Sequence, residues 1–135
     1  MHRNPNPNLI TGNQLTCSIT GTEYTILQTM SCDGTNVIYV IMCSKCKKQY
    51  VGETKRKLRD RLNNHRSDIR LKKQTAIAIH FNDILHSSKD LCIMPIEMAE
   101  GTEYRRHGES CWIKELRCNY PFGLNYYPIV YDDKN

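Results

Sequence analysis

A chain of 135 residues with 39% apolar and 8% aromatic side chains has material for one domain with a modest core, and a structural staple would help it. The formal charge of +5, from 19 Lys and Arg against 14 Asp and Glu, turns the reading toward an anionic partner. No apolar run is long enough to span a bilayer and no secretory leader is visible, which argues against a helical membrane protein or a secreted disulfide scaffold. Seven cysteines, an odd number, favour reduced thiols and metal ligation over a purely disulfide framework.

Residues 1–35 are expected to be a partly ordered extension. "MHRNPNPNLI" is polar and rich in Pro and Asn, Cys17 and Cys32 stand out, and "SCDGTN" reads as a turn. "VIYVIM", residues 37–42, is β-branched and apolar, as a buried strand would be. "CSKCKK" is a turn, and "QYVG", residues 49–52, is the returning strand. From Lys55 the period changes: Leu58, Leu62, His65 and Ile69 fall on one helical face, with Thr54 as the expected N-cap and Arg61 and His65 as neighbours one turn apart. A second helix is expected from about Thr75, with Ile77, Ile84 and Leu85 in the core. "LCIMPIEM" reads as a third strand, in which Pro95 marks an edge or a bulge. Gly101 and Thr102 open a third helix carrying Glu109, Trp112, Ile113 and Leu116, with Gly108 inside it at about 1 kcal/mol relative to Ala. "NYPFGLNYYPIVY" is expected to be an extended aromatic tail, and Cys92, Cys111 and Cys118 to be small buried groups.

Basic residues crowd positions 45–73, opposed there only by Glu53, Asp60 and Asp68. Such a one-sided run suits nucleic acid, although it would serve equally as a solvated helix face. Lys55, Arg56, Arg59, Arg66 and Arg70 are the candidates for contact with DNA phosphates.

The order of these pieces resembles the GIY-YIG family of nucleases. The first motif stands here as "VIY" with Tyr39 and the second as "YVG" with Tyr50; Arg61 and His65 follow on the helix, Glu109 opens "ESCWIKEL", and Asn125 closes "PFGLN". Val37 stands where the family has glycine, and Val51 where it has isoleucine. The resemblance implies an α+β fold: a small three-stranded, mainly antiparallel sheet flanked by helices, over residues 36–127, with 128–135 as a tail. It also implies catalytic roles for Tyr39, Tyr50, Arg61, His65, Glu109 and Asn125, with Glu109 holding Mg²⁺ or Mn²⁺. Glu103 and Glu115 are rival carboxylates, and whether Tyr39 or His65 takes the proton stays open. A tyrosine with its ordinary pKa near 10 is a poor base at neutral pH, so Arg61, His65 or the metal is expected to lower it.

Two cysteines between the motifs, followed by "TAIAIHFNDILH", are similar to the endonuclease domains of Penelope-like retroelements. That similarity implies an inserted structural zinc site of Cys43, Cys46, His80 and His86, with His86 at or past a helix end; four cysteines, Cys17, Cys32, Cys43 and Cys46, are the rival set. It further implies a metal-dependent endonuclease that nicks double-stranded DNA for insertion in the nucleus, with a reverse transcriptase as a possible companion domain and no membrane association. The competing class is an inactive zinc-containing DNA-binding module.

Overall fold

The computed structural model describes residues 9–10, 12–28 and 30–128. Two short strands, β1 (Gln14–Thr16) and β2 (Glu23–Thr25), pair as an antiparallel ribbon. The main sheet follows: β3 (Val37–Cys43), β4 (Gln49–Thr54) and, later in the chain, β5 (Leu91–Met98), in the order β4-β3-β5 with both pairings antiparallel. Helices α1 (Leu58–Arg70) and α2 (Ala76–Phe81) lie between β4 and β5, and α3 (Thr102–Leu116) follows β5. The small antiparallel sheet flanked by helices is the fold class that the sequence implies.

β3 takes the centre because its apolar run can be buried on both faces, and only Met42 is partly exposed. Alternation then divides two cores. Val37, Tyr39, Ile41 and Cys43 face α1 and α2, meeting Leu58, Leu62, Ile69, Ile77 and Phe81. Ile38 and Val40 face the other way, joining Val51, Met94 and Ile96 against Ile113 and Leu116 of α3 and against Leu15, Cys17 and Ile26. Pro95 lies on an edge strand and at a bulge: Tyr39 faces Pro95 while Ile38 faces Glu97, so Ile96 is the extra residue. Gly108 has a packing reason, since a Cβ there would lie 2.6 Å from Ile38 Cδ1.

Several expectations are corrected. α1 begins at Leu58, after Lys57, and Thr54 is the last residue of β4, where its hydroxyl accepts from the Arg56 amide. α2 is capped by the Thr75 hydroxyl, which accepts from the Ala78 amide, but it lasts only to Phe81; Ile84 and Leu85 are 94% and 64% exposed. The unpatterned N-terminal region contains β1 and β2, and Leu15 and Ile26 enter the second core. The aromatic tail is not extended over 119–125 but curls into a turn closed between Asn119 and Asn125. Cys118 is buried as expected, whereas Cys92 is half-buried and Cys111 exposed. Most of the polar lead-in and residues 129–135 lie outside the described residues.

Candidate active site and metal centre

Tyr39 has no solvent exposure, and its hydroxyl lies between two groups of α1. Arg61 Nε donates to the hydroxyl oxygen at 3.1 Å, and that oxygen is 2.8 Å from His65 Nε2. A guanidinium has only donors, so the oxygen accepts from Arg61. It donates to His65 Nε2 in the tautomer that carries the ring proton on Nδ1. Burial, reinforced by the Arg61 charge, holds the His65 pKa down to about 3, so the ring is neutral. Tyr50 approaches the same ring edge-on, with centroids 6.2 Å apart.

Arg61 does not by itself lower the Tyr39 pKa as expected. Burial pushes Tyr39 well above the ordinary phenol value, and the nearby Tyr50 adds to this; the opposing pull of Arg61 is smaller. Burial raises Tyr50 as well, again against Arg61. Cross-strand from Tyr39 is Gly52, where a Cβ would lie 2.5 Å from the Tyr39 hydroxyl oxygen. The glycine there makes room for the phenol.

Glu109 comes from α3, which packs on the other face of the sheet. It is half-buried; burial raises its pKa, the Glu53 charge adds to that, and Arg106 and Arg61 oppose it. Its charge is felt by Tyr39 and Tyr50. Of the rival carboxylates, Glu115 accepts from the Tyr24 hydroxyl at 2.7 Å, and Glu103 is exposed in the first turn of α3. Asn125 is buried and spent on backbone: its Oδ1 accepts from the Val51 amide and its Nδ2 donates to the Val51 carbonyl, each at 2.9 Å. It fixes the strand beside Tyr50 through both of its amide atoms.

Arg105 escaped sequence reasoning. It is 3% exposed, one helical turn before Glu109, and ion-paired with Glu53 of β4. Its Nη1 also donates to Asn36 Oδ1 at 3.1 Å and to the Ala99 carbonyl at 3.5 Å. One guanidinium thus ties α3 to β4 and to the approach to β3. The signal available was its i, i−4 relation to Glu109 on one helix face.

At the far end of the hairpin, ligand atoms of Cys43, Cys46, His80 and His86 all lie within 4.8 Å of one another. Cys46 Sγ is 3.4 Å from His80 Nε2, and the two imidazoles are 4.2 Å apart. A zinc tetrahedron with usual bond lengths has edges of about 3.4–3.8 Å, so closing by roughly 1 Å suffices. Burial first, then His86, holds His80 down to about 4, which keeps it neutral as a ligand must be. The donor set is soft and fits zinc. The rival set does not assemble: the Cys17 thiol donates to the Leu116 carbonyl at 3.3 Å within the second core, and Cys32 belongs to no such cluster among the described residues. His86 lies past the end of α2.

Of the basic candidates, Arg59 is ion-paired with Asp33 and both partners are about half exposed. Lys55 and Arg56 are exposed in the loop before α1. Arg70 is exposed near the end of α1 and donates to Ser67 Oγ at 3.4 Å, and Arg66 reaches Asn63 Oδ1 at the same distance.

A model of the GIY-YIG catalytic domain matches residues 35–129. The catalytic domain of the homing endonuclease I-TevI has a similar fold, with a TM-score of 0.58 and 22% identity over 68% of this chain and 98% of that one. No curated protein matches the chain significantly.

Proposed function

The chain belongs to the GIY-YIG catalytic domain family, and from that premise we propose that it is a divalent-metal-dependent DNA endonuclease. The observation that carries the reading is the hydrogen-bonded chain Arg61–Tyr39–His65, within electrostatic reach of the carboxylate of Glu109. Hydrolysis of a phosphodiester requires an activated water, stabilisation of charge on the phosphate, and help for the leaving oxygen. Arg61 suits the second task, since its terminal nitrogens can meet non-bridging oxygens while Nε stays on Tyr39. Tyr39 suits the first without becoming a phenolate. Its oxygen takes the proton of water as its own proton passes to neutral His65 Nε2, so the relay uses both residues. The phosphate charge, brought close by binding, makes His65 more basic at that moment. Glu109 is the hard oxygen donor that would hold Mg²⁺ or Mn²⁺, which when bound polarises phosphate and water. Asn125 and Arg105 act at one remove, by positioning β4 and α3.

The sub-family proposed is the zinc-containing one of Penelope-like retroelements, supported by the four soft ligands at the hairpin tip. On that reading the domain nicks double-stranded target DNA in the nucleus for element insertion, alongside a reverse transcriptase. Residues 36–127 form the nuclease unit, with 1–35 and 128–135 as its flanks. Among the described residues no helix is long and apolar enough to cross a membrane. The test is a supercoiled plasmid incubated with protein and Mg²⁺, with Glu109→Ala as control. Nicked circles from the wild type and none from the variant support the enzyme. Salt-dependent binding without nicking would replace it by the inactive DNA-binding module.

A further inference from the structure

Beside the C-terminal half of α1 a groove of about 720 Å³ opens, away from Tyr39 and Glu109. Arg66 and Arg70 form one wall; His86, Ser87, Ser88 and Lys89 form the other. No carboxylate lines it among the described residues. Neither Arg70 nor the Lys89 ammonium has an acidic partner among those residues. Three cations and two hydroxyls, with no acid between them, form a lining suited to phosphate oxygens. The far wall is held by local hydrogen bonds. Ser87 and Asp90 close a capping box around a single 3₁₀ turn, Ser88–Asp90, which also engages the acid nearest Lys89 in sequence. That turn follows directly on His86, one of the four soft ligands.

We propose that this groove is a second DNA-backbone site, and that metal bound at Cys43, Cys46, His80 and His86 fixes the wall that carries Lys89. The proposal rests on the nuclease reading and extends it to the flank of the cut. Arg70 is nine residues beyond Arg61, roughly 13 Å along the helix axis. That corresponds to about four base-pair rises of duplex, so the groove meets phosphates several nucleotides from the scissile one. The metal centre then serves DNA affinity as well as folding.

Binding of the full chain to a labelled duplex, with cleavage blocked by Glu109→Ala, tests this. Lys89→Ala should lower the slope of log affinity against log salt by about 0.9. The effect should vanish on a duplex cut short of four base pairs on the α1 side. Coupling is reciprocal, so bound DNA must hold the metal as much as the metal holds DNA. The long duplex should therefore raise the chelator concentration that removes half the zinc, whereas the short duplex, or Lys89→Ala with the long one, should not. An unchanged slope in Lys89→Ala overturns the site. Equal zinc retention with both duplexes overturns the coupling to metal. Absence of binding and nicking by the wild type would instead refute the nuclease reading.

Discussion

Gly52→Ala is the sharpest test of how the phenol is held. The added Cβ would lie 2.5 Å from the Tyr39 hydroxyl oxygen, where ordinary contact begins at 3.4 Å. Gly52 has no positive φ, so the obstacle is space alone. Tyr39 is fully buried, and relief requires the ring to retreat by about 1 Å, at an overpacking cost of about 1–3 kcal/mol. The same retreat displaces the hydroxyl by about 1 Å from its positions at 3.1 and 2.8 Å to Arg61 and His65, which spoils the geometry of both bonds. A displacement of that size costs about 10²-fold in rate. Single-turnover nicking of supercoiled plasmid measures the rate, and urea denaturation measures the stability. In a Tyr39→Leu background, whose side chain ends short of the ring atoms the methyl would strike, Gly52→Ala should add less than about 0.5 kcal/mol. Full nicking by Gly52→Ala with an unchanged denaturation midpoint would refute the argument that Gly52 seats the phenol.

Glu109→Ala should abolish nicking while duplex affinity, read by anisotropy, stays within a few-fold, because on the proposed reading the carboxylate holds the metal and meets no phosphate. Arg105→Gln should cost about 3 kcal/mol or more in urea denaturation, since it leaves Glu53 partly buried without its partner; an unchanged midpoint would show the pair to be a surface ornament. His65 has a depressed folded pKa, so its contribution to stability is present above pH about 6.5 and is lost as pH falls toward 3, at up to about 1.4 kcal/mol per pH unit. His65→Gln should therefore be less acid-sensitive than the wild type between pH 6.5 and 4, and equal acid sensitivity would contradict a buried neutral ring. Cys46→Ser and His80→Ala should each lower bound zinc and the melting temperature, whereas Cys17→Ser should retain the metal, as elemental analysis will show.

What was legible follows from period and local chemistry. The four buried positions of α1 were visible because a 3.6 repeat over thirteen residues is unambiguous. Pro95 announced its bulge because it cannot donate to a ladder. Three-residue strands such as β1 and β2 show too little alternation to be seen. Ile84 and Leu85 misled because apolar type was read as burial, although α2 ends at Phe81 and the Asn82 side chain turns back to the Ile69 carbonyl at 2.8 Å. The catalytic types could be placed through the family motif, but their electrostatics could not. Tyr39 is raised because burial outweighs Arg61, and burial depth belongs to the fold. Arg105 was hidden for the same reason, as its carboxylate partner is 52 residues upstream.

The turn that carries Asn125 does more than brace the site. β4 is an edge strand, and its outward groups are met in sequence: the Leu124 amide donates to the Gln49 carbonyl at 2.9 Å, and the Asn125 side chain then takes both polar groups of Val51. A backbone amide and a side-chain amide together imitate a short piece of a fourth strand and cover the Gln49–Val51 part of an edge that would otherwise invite another chain to pair. The closure also comes late in biosynthesis, from residues more than seventy positions after the strand they cover. A chain halted before Leu124 carries Tyr39, Tyr50, Arg61, His65 and Glu109 but leaves the strand beneath Tyr50 unlatched and sticky. The turn thereby guards the edge of β4 and, on the nuclease reading, the seat of Tyr50.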